Sequence, residues 1–162
     1  MIFPLLFILF NSEPAPVSAN AIWINFAIPR VEARPYHRPY VAVWLEDDAR
    51  NGVKTFLVWH EQEDWLKDLR RWWRKMGRDA TPPFDGVSGA TPKPGDYKLS
   101  LQTVDMKGVP LKAGTYTLHL EVVREKGGRE YFVQEIQLGG HTPQTYTLKG
   151  DVEIGQIVIS IH

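Results

Sequence analysis

The chain has 162 residues, 43% hydrophobic and 23% charged, enough for one domain with its own core. Nineteen basic and nineteen acidic side chains cancel to zero formal charge, which excludes a protein built chiefly to hold nucleic acid. The absence of cysteine excludes disulfides, thiolate catalysis, iron–sulfur clusters and Cys-ligated zinc.

The first stretch, MIFPLLFILFNSEPAPVSANA, reads as a secretion signal over residues 1–21. Its apolar run, Ile2 to Phe10, is too short to span a bilayer as a helix. Small residues follow in an A-x-A-like arrangement, Ala19-Asn20-Ala21, with Val17-Ser18-Ala19 as a second candidate cleavage site. No Lys or Arg precedes the run, so a buried N-terminal strand is the competing reading. No later segment is long and apolar enough to cross a membrane. The expectation is an exported mature chain, residues 22–162, forming one domain.

Short β-rich runs come next. Ile22 to Ile28 is closed by Pro29. In Tyr40 to Glu46, Val41, Val43 and Leu45 alternate with Tyr40, Ala42 and Trp44, so both faces are apolar and the strand is expected to be covered on both sides. Asn51-Gly52 signals a hairpin returning through Val53 to Trp59, with Asp47 and Asp48 shaping the turn. One amphipathic helix follows, with Trp65, Leu66, Leu69, Trp72, Trp73 and Met76 on one stripe. Arg70, Arg71 and Arg74 fall on the other side, and Gly77 reads as a C′ residue. Asp79 to Asp96 (DATPPFDGVSGATPKPGD) has no periodicity; a structureless stretch of this length inside a domain tends to be functional or disordered, and Pro82, Pro83, Pro92 and Pro94 are expected to keep it out of regular structure and on the surface. Strands resume at Tyr97 to Val104, Thr115 to Arg124, Glu130 to Leu138 after the Lys126-Gly127-Gly128-Arg129 turn, Thr145 to Lys149, and Val152 to Ile161. The sum is an antiparallel, immunoglobulin-like β-sandwich with one helix and a long Pro/Gly-rich loop.

Within that loop, Asp85, Ser88, Gly89, Ala90 and Thr91 resemble the flavinylation motif D-x-x-[ST]-G-A-[ST] of FMN-binding domains in bacterial envelope proteins, matching every specified position. A chance match is expected in roughly one chain of every thousand or two this long. The resemblance implies that a flavin transferase, using FAD and Mg2+, joins FMN to Thr91 by a phosphoester, with Asp85 recognised by the transferase and Ser88, Gly89 and Ala90 completing the recognised segment. A threonine hydroxyl is a poor nucleophile unless a base or metal activates it; here the modifying enzyme supplies the activation. RPYVAVWLEDD, LRRWWR, DGVSGATPKPG and AGTYTLHLEVVRE together resemble the domain of unknown function 2271 family of predicted periplasmic proteins, over nearly the whole mature chain. That resemblance implies a setting among envelope flavin redox systems.

Other candidates have two readings each. Trp65, Trp72 and Trp73 either stack on an isoalloxazine ring or fill the core. Arg70, Arg71 and Arg74 either meet a flavin phosphate, steer an acidic redox partner, or form a solvated helix face. His37, His60, His119, His141 and His162 show no metal-ligand spacing. The leading expectation is an exported electron carrier with FMN on Thr91, passing electrons between envelope partners. It has two rivals: a non-redox envelope interaction module, and an enzyme with a substrate of its own.

Overall fold

The computed structural model describes residues 20–80 and 87–162. Two sheets face each other. One has the order β5-β1-β9-β8, from β1 (Ile22–Ile28), β5 (Gly95–Leu101), β8 (Gln144–Lys149) and β9 (Gln156–Ile161). The other has the order β4-β3-β2-β6-β7, from β2 (Tyr40–Asp47), β3 (Gly52–Trp59), β4 (Ser88–Gly89), β6 (Gly114–Val123) and β7 (Arg129–Leu138). All pairings are antiparallel except β3 with β4.

Alternation explains the packing. Ile22, Ile24, Phe26 and Ile28 on β1 and Ile157, Ile159 and Ile161 on β9 point inward. They meet Val41, Val43 and Leu45 of β2 and Tyr116, Leu118, Leu120 and Val122 of β6. The opposite face of β2 carries Ala42 and Trp44, which join a second core with Val58, Leu66, Leu69 and Trp72 beneath the helical segment. β2 is thus covered on both faces, as its double apolar pattern requires.

The helical segment departs from expectation. Instead of one helix there is a 3-10 helix (Glu63–Asp68), one α-turn, α1 (Arg70–Trp72), and a π-turn (Trp73–Gly77). The break is Leu69, at φ −74 and ψ 70, inverse γ-turn geometry. Restarting a helix leaves its first N–H groups without intrahelical partners. A side chain from the sheet supplies them: the Glu121 carboxylate accepts from the Arg71 amide at 3.0 Å and the Trp72 amide at 2.9 Å. Gly77 is also not the left-handed cap expected. A Cβ there would lie 2.6 Å from the Trp72 ring, so the glycine admits the tryptophan. The Asp47–Gly52 turn places its positive φ on Arg50 (65°) rather than on Asn51-Gly52, and Asp47 clamps Asn51 through both carboxylate oxygens.

Other carboxylates close the ends. Glu130 accepts from the amides of Asp151, Val152, Glu153 and Ile154, tying β7 to the loop before β9. The buried Glu153 pairs with Arg124 at 2.7 Å. Asn20 and Ala21 already belong to the sandwich. Ala21 exchanges two backbone hydrogen bonds with His162, and the Asn20 side chain accepts from the Gly139 amide. A chain cut after Ala19 keeps these contacts and one cut after Ala21 lacks them. Residues 1–19, where the signal reading falls, lie outside the described residues.

Candidate functional site

The loop that carries the DGVSGAT segment is not wholly irregular. Ser88 and Gly89 form a short edge strand, with Ser88 opposite Val58 and Gly89 opposite Trp59. The Val58 amide donates to the Val87 carbonyl at 2.8 Å and the His60 amide to the Gly89 carbonyl at 2.9 Å. Val87 turns under the sheet into the second core, while Ser88, Gly89 and Ala90 are exposed. A Cβ built on Gly89 meets nothing within 4 Å, and Gly89 is not among the positive-φ glycines. Neither packing nor backbone geometry in this fold demands a glycine there.

Thr91 corrects the expectation of a surface hydroxyl. It is 1% exposed. Where the chain crosses from one sheet to the other, its side chain turns inward and Oγ1 donates to the Pro39 carbonyl at 2.6 Å. Arg38 Nη1 donates to the Thr91 carbonyl at 3.0 Å. The motif is therefore split: an exposed Ser88-Gly89-Ala90 strip leads into a latched threonine. Asp85 lies outside the described residues.

Trp72 and Arg71, candidates from the helix, are not brought to Thr91. Trp72 is fully buried and its indole N–H donates to Thr55 Oγ1 at 3.1 Å, so its ring is core and offers no free face in this arrangement. The Arg71 guanidinium lies 4.1 Å over the Tyr131 ring on β7, at the opposite edge of the sheet from β4. Thr91 itself lies past the end of β4, with its hydroxyl on Pro39 just before β2, and two strand spacings, roughly 10 Å, separate β2 from β7. Trp65 differs from its neighbours: it is 50% exposed, and its indole N–H is held by Gln62 Oε1 at 3.0 Å. The chain around it is close to Thr91. Pro39, which accepts from the Thr91 hydroxyl, precedes Tyr40, whose hydroxyl accepts from the Gln62 amide at 3.0 Å.

A second polar constellation lies beneath Arg71 and Lys75. Tyr131 Oη is 2.6 Å from His119 Nδ1, and His119 Nε2 is 3.5 Å from Glu46 Oε1 without a hydrogen bond. Trp44 stacks on the His119 ring at 4.8 Å and donates its indole N–H to Glu46. Burial raises the Tyr131 pKa, so the phenol stays protonated, and the imidazole tautomer sets which of the two groups donates. Burial is also the largest influence on His119 and pushes its pKa below 6.5; Glu46 opposes this, while Lys75 and Arg71 reinforce it. A folded pKa below the unfolded one means that the unfolded chain binds more protons. The contribution to stability is therefore complete above pH 6.5 and declines as pH falls from there through the folded value. Urea unfolding across that window should show wild type losing more stability than His119→Phe, by at most about 1.4 kcal/mol per pH unit. Parallel curves for the two proteins contradict the assignment.

No helix among the described residues is long and apolar enough to cross a membrane. No curated protein and no solved structure matches the chain. The family described as "Predicted periplasmic protein (DUF2271)" matches residues 21–156, nearly the whole sandwich, and the periplasm is the compartment expected from the signal-like N-terminus. The chain belongs to that family of predicted periplasmic proteins.

Proposed function

We propose that this protein is a periplasmic electron carrier whose FMN is esterified to Thr91. The observation that carries the reading is the exposed strip Ser88-Gly89-Ala90, with a glycine the fold itself does not need, running directly into a threonine. A residue sequence with no local structural demand suits recognition by a second enzyme. The surrounding chemistry fits a phosphodiester, because the Arg38 guanidinium already reaches the Thr91 carbonyl.

The buried hydroxyl sets a condition. Among the described residues, two backbone hydrogen bonds hold β4 and two side-chain-to-backbone bonds hold Thr91. At about 1 kcal/mol each, releasing them costs about 4 kcal/mol, a local opening present in roughly one molecule in a thousand. Edge strands open first because one side has no partner to lose. A transferase acts on this opened state. Attachment replaces the Thr91 O–H bond with an O–P bond. The pyrophosphate P–O bond of FAD breaks, AMP leaves, and the proton passes to a base of the transferase. Once bound, FMN supplies the exchange of one or two electrons; this chain tethers it, shields it and tunes it.

Co-expression with a flavin transferase tests the reading by intact mass. Wild type and Thr91→Ser should gain one FMN and Thr91→Ala none. Unmodified wild type, or a Thr91→Ala protein that still gains FMN, contradicts it. Unmodified wild type that still captures an envelope partner fits the interaction-module rival instead.

A further inference from the structure

Of the tryptophans on the helical segment, Trp65 is the one held half exposed, and it lines a cavity of about 270 Å³. The cavity runs between Tyr40 at the start of β2 and Val123 at the end of β6, with Arg70 and Lys126 on its walls. Binding pockets for small organic groups combine apolar and aromatic walls with a few fixed polar groups. Tyr40 is doubly held, accepting from the Gln62 amide and donating to the Gln62 carbonyl at 3.3 Å. The same Gln62 fixes the Trp65 indole. An aromatic wall that is both exposed and pinned loses little freedom when a flat ring stacks on it.

We infer that this groove seats the isoalloxazine ring of an FMN carried on Thr91, with Trp65 as the stacking residue; the inference rests on the flavinylation reading above. Position supports it. The Thr91 hydroxyl contacts Pro39, the residue next to Tyr40, and Tyr40 lines the groove. A ribityl phosphate arm spans roughly 10 Å at ordinary bond lengths, enough to cross from β2 to the neighbouring β6. The walls carry both signs: Arg70 and Lys126 are donors suited to the carbonyl oxygens at one end of the ring, Asp68 and Glu125 are acceptors suited to the ring N–H between them, and the ring's apolar end suits Tyr40 and Val123. The buried rings of Trp44 and Trp72 have no such face to give.

The test uses full-length mature protein after co-expression with the transferase, its FMN confirmed by mass. Flavin fluorescence and visible circular dichroism are compared for wild type, Trp65→Leu and Trp65→Phe. Wild-type emission should be strongly quenched with an induced visible dichroic band. In Trp65→Leu emission should rise about fivefold, the scale of one lost aromatic stack, and Trp65→Phe should restore most of the quenching. Because Trp65 is half exposed, Trp65→Leu keeps its far-ultraviolet spectrum. FMN-bearing wild type that fluoresces like free FMN, or a Trp65→Leu protein as quenched as wild type, overturns the groove while leaving the ester intact. A wild-type protein with no FMN increment overturns both.

Discussion

Glu121→Ala is expected to lower the unfolding free energy by about 3 kcal/mol, the largest loss from any single polar substitution in the second core. Glu121 is fully buried on β6 and meets three donors: the Arg71 and Trp72 amides and Arg129 Nη1 at 2.6 Å. Truncation leaves two helix-start amides without this acceptor and takes the carboxylate from a guanidinium that keeps its bond to the Asp68 carbonyl. Arg129 is about one-third exposed, so water recovers part of its cost and the loss falls at the low end for a broken buried pair. Glu121→Gln keeps an acceptor for the amides but removes the charge, and should lose about half as much. Urea midpoints at pH 7 check the series; an alanine variant within 1 kcal/mol of wild type, roughly the effect of an ordinary exposed pair, contradicts this account of the anchor.

The second large effect concerns access to Thr91. Arg38→Ala removes the donor on the Thr91 carbonyl without touching the motif. If that bond contributes about 1 kcal/mol to the latch, the opened population rises about fivefold, and so does the rate at which folded protein acquires FMN. Amide exchange at Val58 and His60, which hold β4, should accelerate in parallel. An incorporation rate that stays level while exchange accelerates rejects edge-strand opening as the route to the hydroxyl.

The sandwich was legible where alternation is strong. Ile22–Ile28 and Thr115–Arg124 place their inward residues as their period-2 patterns require, and the double apolar face of Tyr40–Glu46 anticipates a strand covered by a second core. A helical segment stands where the stripe places it, but a 3.6-residue stripe specifies which residues are buried more firmly than it specifies a continuous backbone. The break at Leu69 depends on Glu121, some fifty residues away in sequence. In the alternation of Thr115 to Arg124 that glutamate stands on the face opposite Tyr116, Leu118, Leu120 and Val122, where nothing local marks it for burial. Thr91 illustrates the converse. Prolines and small residues mark a loop, but whether one hydroxyl points outward depends on the Pro39 carbonyl across the seam, which no local pattern encodes. Trp65 and Trp72 share a stripe; only the geometry of Gln62 and Thr55 separates a held, exposed ring from a core one.

One measurement bears most directly on the whole account: the mass of the proteolytic peptide spanning Thr91, taken from protein made alongside a flavin transferase. The account predicts one FMN on that peptide, fragmenting to the Thr91 side chain, with the bond stable to denaturation. A bare Thr91 peptide recovered from protein whose transferase has loaded another substrate in the same cells contradicts it.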